Sequence, residues 1–137
     1  MPHQKKIQNF MTPNPMVIKK DSLIQEALGL MRKKSIYHLP VVDDTGQVIG
    51  LITDRDIKLA SAFERSDHMQ VSDLMIKKPY TVETVVSLRN VALYMAEHRY
   101  GCALVVRDGQ LAGIFTAEDA MRTLGEMLQE SEQEKAA

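Results

Sequence analysis

The 137-residue chain repeats itself, and that repeat limits its fold more than any other feature. At an offset of 64 residues, Met11 falls on Met75, Pro15 on Pro79, Met31 on Met95 and Val41-Val42 on Val105-Val106. One residue fewer near Thr45 lowers the offset to 63. Gly46-Gln47 then matches Gly109-Gln110, Gly50 matches Gly113, Thr53 matches Thr116 and Asp56 matches Asp119. Similarity at a fixed period marks a duplicated supersecondary unit.

The apolar pattern repeats with the letters. Ile24, Ala27, Leu28 and Met31 stand at i, i+3, i+4 and i+7, one face of a helix, and Leu88, Val91, Ala92 and Met95 do the same. Ser22 and Gln25 read as a capping box for the first of these helices. Val86 replaces Ser22 in the second copy, which moves the expected cap to Thr84. Two apolar runs follow each helix. Leu39-Pro40-Val41-Val42 and Val48-Ile49-Gly50-Leu51-Ile52 flank an Asp/Gly turn, as do Ala103-Leu104-Val105-Val106 and Leu111-Ala112-Gly113-Ile114-Phe115. These read as hairpins, and their unbroken apolar character predicts cover on both faces. A further helix is expected over about 54–62 and another from 117 to about 129.

Each copy therefore reads β-α-β-β-α, an α/β (α+β) fold of two repeats packed with pseudo-twofold symmetry. A unit of about 60 residues buries little core alone, so the copies are expected to pack together. The expected division is a first repeat over 1–65, a connector over 66–70, a second repeat over 71–125 and a solvated helix end over 126–137.

Composition excludes several classes. Seventeen basic residues against 18 acidic give a net charge of −1, with only seven aromatic residues, so no nucleic acid partner is expected. No apolar run is long enough for a membrane span, and no apolar stretch follows the basic N-terminus as a secretory signal would require. One cysteine, Cys102, forbids an internal disulfide and fits a cytoplasmic location. The four histidines lack metal-ligand spacing, so no metal site is expected.

The repeated polar residues remain. Thr53-x-x-Asp56 and Thr116-x-x-Asp119 each stand where a hairpin strand turns into a helix. One reading is a capping box, with the acid also suiting the helix dipole. The other uses the same geometry for a ligand. A helix N-terminus and a threonine hydroxyl suit a phosphate, and a carboxylate one turn in accepts two hydrogen bonds from a ribose diol. The readings are compatible: the acid caps when the site is empty and binds ribose when it is filled.

The order Met-x-x-x-Pro, amphipathic helix, Tyr37-His38-Leu39-Pro40-Val41-Val42, turn, Gly50-Leu51-Ile52-Thr53-x-x-Asp56 resembles a CBS domain, and the second copy makes a tandem pair, or Bateman module. The resemblance runs from about Ile7 to Leu124. It implies two clefts between the repeats that bind an adenosine-containing ligand: AMP, ADP, ATP or S-adenosylmethionine, sometimes NAD. No catalytic cofactor is implied. Asp56 and Asp119 would hold ribose, and Thr53 and Thr116 phosphate. Ile36, Tyr37, His38, Leu39 and Pro40 would line one base pocket, and Tyr100, Gly101, Cys102 and Ala103 the other. The short first strand of the opposite repeat would add Thr81 to the Asp56 site and Val17, which lacks a hydroxyl, to the Asp119 site. With Arg55 beside Asp56 and Glu118 beside Asp119, the Asp56 site is expected to bind more tightly.

The chain is thus expected to be a stand-alone regulatory sensor rather than an enzyme, since it has no Gly-rich lysine-bearing phosphate loop and no carboxylate cluster for magnesium. A homodimer is expected through helix faces near 23–31, 88–95 and 121–128, with an unidentified effector protein as partner. The alternative is a non-binding dimerisation scaffold in which the Thr/Asp pairs only cap helices.

Overall fold

A computed structural model describes residues 4–63 and 66–136. Positions 64 and 65, at the end of the expected first repeat, lie outside the described residues. In chain order the elements are β1 Thr12–Pro13, β2 Ile18–Lys19, α1 Ile24–Lys34, β3 His38–Val42, β4 Val48–Thr53, α2 Asp54–Ala60, α3 Val71–Leu74, β5 Thr81–Glu83, α4 Leu88–His98, β6 Cys102–Arg107, β7 Gln110–Thr116 and α5 Ala117–Ala136. Single 3-10 turns lie at Ile7–Asn9 and Ser66–His68. This is a mixed α+β fold with two sheets, ordered β2-β3-β4 and β1-β7-β6-β5.

The chain forms two compact units, and each draws on both sequence repeats. The first holds Asn14–Pro79 with Asp108–Leu111, and the second holds residues up to Pro13 with Tyr80–Arg107 and Ala112 onward. In the first unit α1 buries Ile24, Ala27, Leu28 and Met31 against Leu39, Val41, Ile52 and Ile57. In the second, α4 buries Leu88, Val91 and Met95 against Val82, Ala103, Val105 and Phe115. The helix faces expected from the 3.6-residue period are thus the buried ones, with Ala92 half-buried.

Each core is completed by the segment that leads into the other repeat. Val71 is fully buried in the first unit and Ile7 in the second. Their backbones also close the helix starts. Val71 N–H donates to Ser22 C=O (2.8 Å), and Ile24 N–H to Met69 C=O (3.0 Å). The equivalent positions 64 residues away make the same two bonds: Ile7 N–H donates to Val86 C=O (2.8 Å), and Leu88 N–H to Lys5 C=O (2.8 Å). These bonds revise two sequence expectations. Leu23, not Ser22, precedes α1, with no side-chain cap, because a tertiary carbonyl takes the first N–H. Ser87, not Thr84, caps α4, accepting from Asn90 N–H at 3.1 Å, while Thr84 is buried beside β5.

The first strands pair in parallel within their own repeat, Ile18 with Val41 and Thr81 with Leu104. β5 starts one position earlier than β2. Leu104 N–H donates to Tyr80 C=O (2.9 Å), whereas its counterpart Pro40 has no N–H to offer. The hairpin turns form as expected. Asp43 accepts from Thr45 N–H, Thr45 Oγ1 and Gln47 N–H at 2.9, 2.6 and 3.0 Å, and these bonds, the Thr45 hydroxyl foremost, hold its carboxyl below the usual range. Gly109 follows Asp108 with both at positive φ (81° and 52°), the geometry of a tight two-residue hairpin. α2 ends at Ala60, short of the expected 62. α5 continues to Ala136, past the expected 129, because Glu, Gln, Lys and Ala sustain a helix by propensity alone.

Gly113 and Gly50 are the points of closest approach to the leading segments. A Cβ on Gly113 would meet Thr12 O at 2.8 Å, and one on Gly50 would meet Ile76 O at 3.0 Å. Gly113→Ala is expected to lower unfolding free energy by about 1–3 kcal/mol in urea titration, as overpacking against backbone does. Gly50→Ala should cost less; equal losses would remove this ranking, and absent losses would show that the segments yield at no cost. Cys102 opens β6 with its side chain buried, and burial pushes its thiol up from 9.0 to about 12. At pH 8 its thiolate fraction is then about a thousandfold below that of the unfolded chain. A thiol-reactive dye should label the folded protein slowly and the urea-unfolded protein fast. The same shift leaves stability unchanged below pH 9 and erodes it as pH climbs toward 12, because the unfolded thiol ionises first.

Candidate functional site

Both Thr-x-x-Asp segments occupy strand-to-helix corners of the same construction. In the first unit β4 hands over to α2 at Thr53, whose backbone is extended (φ −117°, ψ 156°). Asp54 N–H donates to Tyr37 C=O at 3.1 Å, which ties the helix start to the entrance of β3. In the second unit β7 hands over to α5 at Thr116, and Ala117 N–H donates to Gly101 C=O at 2.9 Å. The residues expected beside each corner, His38 opposite Thr53 in register and Gly101-Cys102 at the start of β6, are thereby brought to it.

The two carboxylates are held differently. Thr53 Oγ1 accepts from Asp56 N–H at 3.2 Å and donates to Asp56 Oδ2 at 2.9 Å. Asp56 is half-buried, and the Thr53 hydroxyl donates to its carboxylate. Asp119 is 7% exposed. Its N–H donates to Thr116 Oγ1 at 3.1 Å, and its Oδ2 accepts from Thr116 N–H at 2.9 Å, a complete reciprocal capping box. Its Oδ1 also accepts from Arg122 Nη1 at 3.0 Å, and the Thr12 hydroxyl lies 3.5 and 3.4 Å from its two oxygens. Arg122 was legible in sequence as an i+3 partner of Asp119. Thr12 was not, because it arrives from 107 residues away through the pairing of β1 with β7.

The other expected residues divide between the units. Ile36, Tyr37, His38, Pro40, Arg55 and Val17 lie in the unit of Asp56; Thr81, Ala103 and Tyr100 lie in that of Asp119. Pro40 and Ala103 are buried in their strands, while Arg55, Val17 and Thr81 are exposed. Thr81 shares a compact unit with Asp119, and Val17 with Asp56. Ile36, Tyr37 and Asp54 line a recess of about 200 Å³. Tyr100 faces a cluster of rings that no sequence motif announced, with Tyr80, Tyr94 and His98 at centroid distances of 5.6, 6.1 and 5.4 Å. Burial raises the Tyr80 hydroxyl above its ordinary pKa.

A larger apolar groove of about 690 Å³ runs between α4 and α5, lined by Leu88, Ala92, Phe115, Leu124 and Met127 among others, and it does not include Thr116 or Asp119. Among the described residues no group of three His, Cys, Asp or Glu side chains is placed to hold a metal. No helix among them is long and apolar enough to cross a membrane.

Comparison with known proteins gives this arrangement its family. The family model described as "CBS domain" matches twice, over residues 7–62 and 71–126. The acetoin utilization protein AcuB of Vibrio cholerae, a putative assignment in its own description, superposes with a TM-score of 0.87 at 26% identity, covering 95% of this chain and 97% of that one. CBSX2 of Arabidopsis thaliana, solved in complex with AMP, gives 0.78 at 29% identity over 90% and 98% of the two chains. The CBS domain pair of protein MJ0100, solved with 5′-methylthioadenosine and S-adenosyl-L-methionine, gives 0.83 at 27% over 90% and 98%. Among curated relatives, a homoserine O-acetyltransferase of Methanococcus vannielii is 31% identical over 88% of this chain, which spans only 25% of the relative's length. Two matched repeats, each ending in its own Thr/Asp corner, show that the chain belongs to the CBS domain family and carries that domain as a tandem pair.

Proposed function

We propose that this chain is a regulatory sensor whose Thr/Asp corners bind an adenosine-containing nucleotide: AMP, ADP, ATP or S-adenosylmethionine. The observation that carries the reading is the half-buried Asp56 carboxylate, held by the Thr53 hydroxyl at a strand-to-helix turn with no guanidinium at the position equivalent to Arg122. That leaves acceptor positions open to a ribose diol, and exchange of the Thr53 hydroxyl toward a phosphate opens more. Ile36, Tyr37, His38 and Pro40 would wall the base on that side, with Arg55 near the charged tail, and Gly101, Cys102 and Ala103 would do so at Asp119. Val17 and Thr81, on the first strands, complete the proposed set. The adenosyl ligands solved in CBSX2 and MJ0100 support the ligand class.

The ligand would act by population shift, stabilising whichever arrangement of the chain it binds better and passing that bias to an effector protein. The chain would work in the cytoplasm as a homodimer and catalyse nothing itself. Met121, Leu124 and Leu128 support a helix-mediated dimer, being 68%, 51% and 54% exposed along one stretch of α5 beside the apolar groove. The second reading is the scaffold, and it too has an observation in its favour: at both corners the threonine hydroxyl accepts from the aspartate N–H, a capping bond made entirely within the chain.

Thermal melting separates the two. A ligand at a hundredfold its Kd adds about 2.7 kcal/mol, a rise of several degrees in Tm. We expect that rise with at least one of AMP, ADP, ATP and S-adenosylmethionine, and its loss in Asp56→Asn. A flat response to all four leaves only the scaffold. Light scattering is expected to give twice the 15.4 kDa chain mass, and Leu124→Glu to shift it toward one. A wild-type mass of one chain would remove the dimer.

A further inference from the structure

The internal repeat makes the two corners a controlled comparison, since equivalent positions can be read against each other. At Asp56 the counterpart of Arg122 is Leu59, and the counterpart of Thr12 is Ile76. Leu59 is 63% exposed and Ile76 pairs with Leu51, so neither offers the Asp56 carboxylate a donor. At Asp119 both positions are donors and both reach the carboxylate. A carboxylate has about four lone-pair sites. Thr116 N–H, Arg122 Nη1 and the Thr12 hydroxyl, which lies 3.4–3.5 Å from both oxygens and can donate to one at a time, address up to three of them at Asp119, whereas the Thr53 hydroxyl addresses one at Asp56.

We infer that Arg122 and Thr12 are specificity-determining residues that close the Asp119 corner to a diol, so that the chain binds one adenosine ligand tightly, at Asp56. This rests on the binding reading above and adds the stoichiometry and its cause. A vicinal diol entering at Asp119 must displace the guanidinium or the Thr12 hydroxyl before it can donate twice, so the protein's own donors compete with it. Arg122 is 63% exposed, which keeps the competing ion pair modest in strength. The competition is accordingly worth about tenfold in affinity rather than complete exclusion. The Asp119 corner then serves chiefly as a fastening. It fixes Thr12 of β1 to the first turn of α5, both within the second unit.

The test is titration calorimetry of the full chain with AMP, ATP and S-adenosylmethionine in turn, on wild type, Arg122→Ala, Thr12→Val and Asp56→Asn. For whichever probe binds, wild type should take up about one equivalent tightly, and Asp56→Asn should lose it. Arg122→Ala should show a second equivalent tightened about tenfold, and Thr12→Val a smaller gain in the same direction. The corresponding 2′-deoxynucleotide (dAMP or dATP) should gain nothing from Arg122→Ala, since it lacks the diol. Two equal tight sites in wild type, or one unchanged site in a folded Arg122→Ala with an unaltered melting curve, would overturn this inference and leave nucleotide binding intact. No uptake of any probe by any variant would overturn both. Should Arg122→Ala melt early, Arg122→Gln, which keeps a donor but no charge, is expected to fall between wild type and Ala in second-site affinity.

Discussion

Both cores of this fold depend on the burial of two aliphatic side chains, each of which leads into one repeat and fills the core built mainly from the other. Ile7 and Val71 are fully buried, each in the unit built mainly from the other repeat. Their N–H groups, and the carbonyls of Lys5 and Met69 beside them, pair with backbone at the starts of α4 and α1. Those donors and acceptors would otherwise be left without partners where water is scarce, at a cost of about 1–3 kcal/mol each. Neither sequence repeat therefore contains a whole core. The same approach brings Met11 and Thr12 onto Gly113, and Met75 and Ile76 onto Gly50, where any side chain would collide. The glycines that recur in the Gly-φ-φ-Thr-x-x-Asp signature (φ, apolar) thus answer to a close passage of backbone rather than to turn geometry.

That passage also shapes the chemistry of the corners. β1 lies antiparallel to β7 with Thr12 opposite Ile114, two residues before Thr116, so its hydroxyl arrives at Asp119. In the first unit Ile76 makes the equivalent bridge to Leu51 and brings only an apolar side chain. Two corners that share a backbone and a pair of signature residues therefore present different carboxylates. Asp56 keeps most of its acceptor capacity, and Asp119 gives it to the chain itself. A carboxylate that caps a helix start spends acceptor positions on the chain itself, so the same Thr-x-x-Asp letters present different chemistry at the two corners.

Much was legible beforehand, and the misses have identifiable causes. Ile24, Ala27, Leu28 and Met31 announced a buried helix face because period and burial are local properties. Thr53 and Thr116 announced helix starts because a cap needs only the next three residues. Ser22 and Thr84 misled for the complementary reason: both stand at positions where a cap would be made locally, yet a carbonyl from a distant segment supplied the bond at Ile24, and Ser87 took the role at α4. In the ring cluster of Tyr80, Tyr94, His98 and Tyr100 only the i, i+4 pair Tyr94 and His98 on α4 shares a helical spacing; Tyr80 and Tyr100 arrive from the residues just before β5 and β6, which no local pattern links to that helix.

The sequence by itself determined the duplication, the order of elements in each copy, the helix faces that turn inward and the Thr/Asp pairs at the strand-to-helix corners. All of these follow from periodicity and from contacts within a few residues. Only the tertiary structure decided which segment completes which core, where Pro40 shortens a strand pairing, and how far each carboxylate is already satisfied. Those outcomes turn on groups up to 107 residues apart along the chain, such as Thr12 and Asp119. A hydrogen bond between such groups depends on where the folded backbone brings them, and no local pattern of letters encodes that position.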